Sequence, residues 1–296
     1  MQLDRAQLAT LSAILRRGSF EQAAMDLGIT QSAVSQRLRA LEERIGAVLV
    51  QRGPPVTATD TGAQLARHAE EVGQLEALTL RRLGLEPTSA RVRIAVNADS
   101  LATWLPPALA RAQEAMPGTL FSIDVDDQDH SGEWLRRGQV SAALTSDGTA
   151  LRGCEAHPMG ALSYVPVASP AFIARHFAHG VTAKALARAP TLIFNEKDTL
   201  AASWLRRFAG PGPLPPAHRL PSAEGFTLAI REGLGWGLNP RALLERDLEA
   251  GTLVELIPNA TLDTPLYWQV SRVMAEALAP LTQALRQTAR DHLLAP

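Results

Sequence analysis

The sequence predicts an all-α N-terminal domain, then one long helix, then an α/β domain. Three observations support this division. Residues 19–46 hold two short stretches with apolar residues at helical spacing, separated by a glycine. Residues 59–84 continue helical spacing without a break. From residue 91 onward, short apolar runs alternate with helical stretches, which indicates a mainly parallel sheet covered by helices.

The first two helical stretches have the spacing of a helix-turn-helix. Ala24 is small enough for the two helices to cross closely, and Gly28 supplies the residue that a tight interhelical turn needs. The second helix begins after Thr30 and buries an apolar stripe formed by Val34, Leu38 and Leu41. An ordinary helical hairpin with a solvated outer face is the alternative.

The outer face of the second helix carries polar side chains that can reach base edges and phosphates. A short hairpin follows, because Leu49 and Val50 run into a turn that contains Gly53 and Pro54. This wing would place Arg52 on a phosphate or in a minor groove. The predicted DNA-binding residues are Ser19, Thr30, Gln31, Ser32, Ser35, Gln36, Arg37, Arg39 and Arg52.

Residues 59–84 predict one long helix that Thr59 or Asp60 caps. A single exposed helix cannot hide its apolar stripe, which favours packing against a second copy of the chain. Packing of the stripe on its own domain is the alternative. A hinge follows, because Gly84 and Pro87 end the helix. The predicted dimerisation residues are Leu65, Ala69, Val72 and Leu75.

The alternating part of the chain predicts an ordered series of strands and helices. The strands are 91–96, 120–125, 141–145, 164–168, 191–194, 235–239, 253–256 and 267–270. The helices are 101–115, 132–137, 200–208, 223–232 and 276–293. The proline-rich segment 210–216 is interpreted as a loop insertion.

Polar residues follow several of these strands, at the positions where open α/β folds bind ligands. The helix that starts near Ser100 suits a carboxylate, and the acids after residue 125 suit an ammonium or a guanidinium. Together they indicate a small zwitterion with a cationic side chain; ordinary helix caps and turns are the alternative. The predicted effector-binding residues are Asn97, Asp99, Ser100, Thr103, Asp126, Asp127, Asn195, Glu196, Ser222 and Glu224.

Composition narrows the classes of protein. The formal net charge is -1, so DNA binding must come from a local surface rather than from bulk positive charge. The single Cys154 excludes an internal disulfide framework, and no apolar run is long enough for a membrane span. The start of the chain does not resemble a signal peptide, so we expect a cytoplasmic location and no membrane partner.

An enzyme is the main rival class, because α/β domains often host catalysis. The glycines at 233, 235 and 237 lack the spacing of a dinucleotide site, and the histidines show no metal-ligand spacing. The sequence therefore predicts no catalytic residue, no metal and no cofactor. A solute-binding or purely architectural protein is the second rival class.

Residues 1–85 resemble the LysR-type transcriptional regulators. The resemblance is carried by Ser19-Phe20, Ala23-Ala24, Leu27, Gln31-Ser32-Ala33-Val34-Ser35, Leu41-Glu42, Gly46, Leu49, Arg52, Thr57, Thr59 and Gly62. Val50 departs from the phenylalanine usual in the family, which affects only local packing. The resemblance implies a linker helix that pairs two winged domains, a dyad-symmetric double-stranded operator, assembly into a dimer or tetramer, and contact with RNA polymerase. It also implies a two-lobed effector domain similar to periplasmic binding proteins, with crossings near residues 165 and 265.

Further motifs resemble the ArgP/LysG branch, whose members respond to arginine or lysine. They are Val96–Leu105, Leu135–Gly138, Gly180–Thr182 and Leu266–Trp268. The resemblance implies an activator of genes for amino-acid export or metabolism. The choice between arginine, lysine and another small ligand stays open, and so does inhibition of replication initiation. The implied boundaries are 1–59 for the winged domain, 60–84 for the linker helix, 85–90 for the hinge and 91–296 for the effector domain, with lobe I at 91–165 and 266–296 and lobe II at 166–265.

Overall fold

The computed structural model describes residues 2–85, 90–126, 131–136 and 139–295. Its N-terminal part contains three short helices and a small hairpin, followed by one long helix. These elements are α1 (Arg5–Arg17), α2 (Phe20–Leu27), α3 (Gln31–Ile45), β1 (Val50–Gln51), β2 (Thr57–Ala58) and α4 (Asp60–Arg82). The predicted helix-turn-helix and wing are confirmed.

Local signals set the ends of the three short helices. Each helix begins at a side chain that accepts a backbone N–H and ends at a glycine in the left-handed region. The N-caps are Asp4, Ser19 and Thr30, and the terminal glycines are Gly18, Gly28 and Gly46. The turn predicted at Gly28 has φ of 63°, which a residue with a Cβ rarely adopts.

The winged domain has its own apolar core, to which α1, α2, α3 and the start of β1 contribute. Leu11, Ile14, Val34, Leu38 and Leu41 are fully buried there. The wing docks on this core, because the Val56 N–H donates to the Gly18 carbonyl at 2.9 Å. The hairpin therefore has a defined position beside α2.

Helix α4 packs on the rest of its own chain over part of its length. Thr59 caps it, since the Gly62 N–H donates to Thr59 Oγ1 at 3.1 Å. Leu65 and Ala69 pack against the winged core, whereas Leu75 is 38% exposed. Packing on its own chain therefore holds for Leu65 and Ala69, and also for Leu78, which packs against the core of the α/β domain.

The remaining elements form the α/β domain. They are β3 (Ala90–Val96), α5 (Ala98–Ala102), α6 (Leu105–Ala115), β4 (Thr119–Val125), α7 (Ser131–Arg136), β5 (Ala142–Thr145), β6 (Cys154–Ala168), α8 (Pro170–His176), α9 (Ala183–Leu186), β7 (Thr191–Ile193), α10 (Leu200–Phe208), β8 (Ala217–Arg219), α11 (Ala223–Arg231), β9 (Gly237–Pro240), α12 (Arg241–Ala250), β10 (Val254–Glu255), β11 (Leu262–Ser271) and α13 (Ala279–His292).

Two long strands, β6 and β11, connect the two ends of this domain. They pair antiparallel over most of their length. At one end β11 also pairs with β5, which continues into the parallel set β5-β3-β4. At the other end β6 pairs antiparallel with β9 and β10, and β7 and β8 form a separate parallel pair. Positions 165 and 265, where the crossings were expected, lie within β6 and β11.

Several expectations for this domain are wrong in detail. The sheet is not mainly parallel, because β6 and β11 bring antiparallel partners into its middle. The helix expected at 101–115 is two helices, since Pro106 and Pro107 lack the N–H groups that would continue the first one. Strands β6 and β11 extend well beyond 164–168 and 267–270, because their pairing with each other carries β6 through Pro158 and Gly160. Helices α8, α9 and α12 and strand β8 were not predicted.

Among the described residues, no helix combines the length and apolar character that a bilayer crossing requires. In the part of the chain that the structure describes, the four largest fully buried side chains are all tryptophans of the α/β domain: Trp104, Trp204, Trp236 and Trp268. Three of them donate their indole N–H to a polar partner, whereas the Trp104 indole N–H has no hydrogen-bond partner in the described structure.

Candidate DNA-binding surface and ligand cleft

The outer face of α3 is polar and open to solvent. Gln31, Ser32, Gln36 and Arg39 are exposed, and Ser35 and Arg37 are half-buried. Their opposite face is held by the buried stripe of Val34, Leu38 and Leu41. Because α3 is packed along one side only, its polar face can enter a groove without unfolding the domain.

Three of the predicted DNA-contacting hydroxyls have structural partners. Ser19 accepts the Gln22 N–H at 3.4 Å and starts α2. Thr30 accepts the Ala33 N–H at 3.2 Å, and its Oγ1 lies 2.9 Å from the Ser32 hydroxyl. These hydroxyls position the starts of α2 and α3, where backbone N–H groups favour an anion such as a phosphate.

The arginines near α3 differ in whether they form an ion pair within the chain. Arg52 is exposed on the wing, with its guanidinium 5.9 Å from the Phe20 ring centroid. In contrast, Arg16 and Arg17 both bond Asp26, and their hydrogen bonds hold the pKa of Asp26 at about 2. Arg52 is therefore the better placed of these arginines for a phosphate.

A small cavity lies between the two ends of the α/β domain. Its volume is about 30 Å³, which holds about two water molecules. Its walls come from the ends of β3 and β4, the loop after β7, the start of α11 and strand β9. The lining residues are Asn97, Ala98, Asp99, Asp126, Phe194, Asp198, Leu200, Ala223, Phe226, Leu238 and Asn239.

Asn97 is the most informative residue of this cavity. It is 2% exposed, and neither its amide oxygen nor its amide nitrogen has a hydrogen-bond partner in the described structure. Although Asn97 precedes α5, its side chain does not cap that helix. A buried polar group without a partner costs about 1 to 3 kcal/mol, so a bound ligand or water that satisfies this amide would be stabilised.

Three carboxylates stand on the cavity wall, each held in place by the protein. Asp99 Oδ2 accepts the Tyr164 hydroxyl at 2.8 Å, and Asp126 Oδ2 accepts the Trp134 indole N–H at 2.9 Å. Asp198 accepts the backbone N–H groups of Phe194 and Leu200. No basic residue is among the described residues that line the cavity, although the Lys197 ammonium contacts Asp126 from outside this lining.

The structure brings together only part of the predicted effector-binding set. Asn97, Asp99 and Asp126 line the cavity, whereas Asp127 lies outside the described residues. The other predicted residues do not line it: Ser100, Thr103, Asn195, Glu196, Ser222 and Glu224.

Several of these residues form hydrogen bonds or ion pairs with other parts of the protein. The Thr103 hydroxyl donates to the Asp99 carbonyl, Glu196 pairs with Arg219, and Ser222 caps α11. Ser100 is fully buried, and its hydroxyl has no hydrogen-bond partner in the described structure. The helix that was expected to hold a carboxylate is the short α5, which contributes Ala98 and Asp99 to the wall.

Sequence reasoning missed two polar lining residues. Asp198 follows β7 and precedes α10, which is the same strand-end signal that selected Asn195 and Glu196. Asn239 gave no such signal, because it lies inside β9 and reaches the cavity only through the pairing of β9 with β6. Its amide donates to Thr227 at 2.7 Å. No cluster of potential metal ligands occurs among the described residues.

Comparisons with known proteins agree with both parts of the chain. Residues 6–63 match the family described as bacterial regulatory helix-turn-helix protein, lysR family, and residues 85–293 match the LysR substrate binding domain. The chain is 40% identical over 290 residues to the HTH-type transcriptional regulator LysG of Mycobacterium tuberculosis, covering 97% of this chain and 94% of that protein. It is also 40% identical over 294 residues to the HTH-type transcriptional regulator ArgP of Pseudomonas aeruginosa, covering 98% and 97%.

Solved structures give the same result. The crystal structure of ArgP from Mycobacterium tuberculosis matches with a TM-score of 0.80 at 39% identity, covering 100% of both chains. Full-length LysG from Corynebacterium glutamicum with bound effector Arg matches with a TM-score of 0.68 at 37% identity, covering 99% of this chain and 100% of that one.

Proposed function

The chain belongs to the LysR family of transcriptional regulators, and we propose that it reads its operator through α3 and senses a basic amino acid in the cleft. It is a DNA-binding regulator and not an enzyme. We assign the winged domain to residues 1–59, the linker helix to 60–84, the hinge to 85–90 and the effector domain to 91–296. Binding to chromosomal operators implies action in the cytoplasm.

The exposed start of α3 supports sequence-specific readout. Gln31 and Gln36 present amide groups that can bond the N6 and N7 of adenine, and each such pair is worth about 1 to 3 kcal/mol of discrimination. Arg52 on the wing and the helix start behind Ser19 suit phosphates, which carry no sequence information. We assign base readout to the two glutamines and positioning to Arg52.

Gel shifts on operator and random duplexes test this assignment. Gln36→Ala should weaken operator binding by about 10- to 100-fold and leave random-duplex binding unchanged. Arg52→Ala should weaken binding to both duplexes and flatten the salt dependence. Gln22→Ala, an exposed glutamine on α2, serves as the matched control. Equal loss of Gln36→Ala on both duplexes would contradict base readout.

The effector proposal is carried by one observation on the cavity lining. The lining contains three carboxylates and, among the described residues, no basic side chain. Such a wall favours a ligand with a positive charge. The arginine-bound LysG relative supports arginine as the first candidate, and lysine has the same charge. The unpaired amide of Asn97 can bond the polar backbone of the amino acid.

Calorimetry with arginine, lysine and the neutral arginine isostere citrulline tests this proposal. We expect binding of the two cationic amino acids and at least tenfold weaker binding of citrulline. Asn97→Ala should abolish the effector response and retain operator affinity, whereas Gln287→Ala, an exposed change on α13, should leave both unchanged. Binding of citrulline as tight as that of arginine would contradict a charge-selective cleft.

We also propose that α4 pairs two chains and that the ligand changes the spacing of the winged domains. Leu75 is the exposed part of the stripe, whereas Leu65 packs inside its own chain and cannot give a clean test. Two half-sites bound by one dimer multiply modest affinities through effective concentration. The ligand acts only by differential affinity, typically about 1 to 3 kcal/mol. Dimers would assemble further into tetramers and contact RNA polymerase at the promoter.

Sedimentation tests the pairing. Leu75→Glu should shift the chain toward monomers, and Leu83→Glu should not, because Leu83 lies beyond the end of α4 and outside the proposed stripe. An unchanged sedimentation coefficient for Leu75→Glu would place the interface elsewhere.

A further inference from the structure

Lys197 makes an ionic contact across the mouth of the cavity. Its Nζ lies 3.2 Å from Asp126 Oδ1 and 3.5 Å from Asp126 Oδ2. Lys197 belongs to the loop after β7, and Asp126 follows β4. The two residues therefore come from opposite sides of the cleft and are 71 positions apart in the chain.

The backbone on the lysine side is held by its neighbours. The Lys197 N–H donates to Asn195 Oδ1 at 2.7 Å, and Asp198 binds the backbone at Phe194 and Leu200. The loop is thus pinned at both of its ends. Only the flexible side chain of Lys197 has to move for the contact with Asp126 to break.

The carboxylate on the opposite side is also fixed. The Asp126 N–H donates to the Val96 carbonyl at 3.0 Å, and the Trp134 indole orients the Asp126 carboxylate. The Asp126 side chain is 18% exposed, whereas that of Lys197 is 50% exposed. A pair with one solvated member is weak, so the ammonium is the part that can be exchanged.

The cavity behind this pair is too small for an amino acid. Its volume of about 30 Å³ holds about two water molecules. A ligand therefore needs more space than this cavity offers, and withdrawal of the Lys197 side chain from Asp126 would open its mouth.

We propose that Lys197 is an internal competitor of the effector, whose ammonium occupies Asp126 in the ligand-free protein and is displaced by the cationic group of the ligand. This proposal rests on the proposed basic amino-acid effector. It adds a specificity-determining role for Lys197. When a cationic ligand displaces Lys197, one positive charge beside Asp126 replaces another. A neutral isostere that displaces Lys197 brings no positive charge to Asp126.

Acylation of lysine side chains in the full-length protein, followed by mass spectrometry, measures this displacement directly. The chain has two lysines, Lys184 and Lys197, and the exposed Lys184 on α9 is the internal control. Arginine should raise the acylation rate of Lys197 several-fold and leave that of Lys184 unchanged. Citrulline should not raise it, and because citrulline carries the same α-amine, it also controls for consumption of the reagent. Asp126→Asn should raise the Lys197 rate without any ligand.

A double-mutant cycle on arginine affinity completes the test. Lys197→Met should tighten arginine binding about two- to fivefold, the range expected for release of one weak ion pair. In the Asp126→Asn background the same change should have no effect. If Lys197 acts only as a general positive charge, Lys197→Met should tighten arginine binding in the Asp126→Asn background as well, and that result would overturn the proposal. Weaker arginine binding by Lys197→Met would also overturn it.

The outcomes separate the two proposals. Calorimetric binding of arginine with an unchanged or lowered Lys197 acylation rate would refute the competitor and leave the effector assignment standing. Absence of arginine and lysine binding would refute both.

Discussion

Replacing Gly62 with alanine should separate the long helix from the wing. Gly62 lies in the first turn of α4, where an added Cβ would stand 1.9 Å from the Leu49 carbonyl oxygen and 2.9 Å from its carbon. Both atoms are main chain, so no side-chain rotation relieves the contact. The start of α4 must therefore move by about 1 Å or more, which strains the Thr59 N–H bond to the same carbonyl.

The expected change in the free energy of unfolding follows from three contributions, two destabilising and one stabilising. Overpacking of a tight contact costs about 1 to 3 kcal/mol, and loss of one backbone hydrogen bond costs about 0.5 to 1.5 kcal/mol. Alanine recovers about 0.5 to 1 kcal/mol over glycine in a helix. The net expectation is a loss of about 1 to 3 kcal/mol for the winged domain, or about 5 to 15 °C in its melting temperature.

Gly73 provides a matched control in the same helix. A Cβ at Gly73 would meet nothing within 4 Å, so Gly73→Ala keeps only the helix-propensity gain and should stabilise the domain by about 0.5 to 1 kcal/mol. The two identical substitutions should therefore have opposite signs.

The assay must report on the N-terminal domain. All five tryptophans lie at or beyond residue 104, so fluorescence follows the effector domain, whereas amide hydrogen exchange of α1–α4 and calorimetry of the full chain follow the winged domain. Exchange in α1–α4 that is as slow for Gly62→Ala as for the unaltered chain would refute the packing argument.

Two further predictions concern titratable groups. Arg231 binds Asp247 through two hydrogen bonds of 2.7 and 2.8 Å and lowers the pKa of Asp247; Asp247→Asn should therefore cost about 1 to 3 kcal/mol in urea unfolding near pH 7. Because its pKa is lowered in the folded protein, the Asp247 carboxylate stabilises the fold at pH values above the unfolded pKa of about 3.9. The cost of Asp247→Asn should therefore shrink as the pH falls below that value. A pH-independent cost would count against the ion pair. Burial raises the pKa of Glu70 on α4, although Arg93 and Arg91 oppose the shift. The folded state therefore disfavours the charged form of Glu70, so Glu70→Gln should raise the melting temperature measured by calorimetry at pH 7 to 8. This gain should vanish below the unfolded pKa of about 4.3. A lowered melting temperature of Glu70→Gln at pH 7 would contradict the burial argument.

Much of the secondary structure could be predicted, because its signals are local. Thr30 and Gly28 mark the start of α3 and the end of α2 through hydrogen bonds within a few residues. The expected helix at 200–208 is confirmed as α10. Errors arose where long-range pairing set the bounds: the pattern predicted a strand only at 164–168, yet β6 begins at Cys154 because β11 pairs along it.

The candidate site could be predicted only in part, for the same reason. Strand-end position selected Asn97, Asp99 and Asp126, all of which line the cavity. Asn239 was missed, because a residue inside a strand reaches a cleft only when the sheet places it there.

The sequence by itself determined the helix-turn-helix, the wing and the long helix, since caps, turns and apolar spacing act over a few residues. The class of protein was indicated by the resemblance of its motifs to the LysR-type regulators. Tertiary structure alone decided the antiparallel crossing strands, the packing of Leu65 against its own core and the contact between Lys197 and Asp126. Those features join residues far apart in the chain, and contacts of that kind depend on how complete elements pack rather than on any pattern within one element.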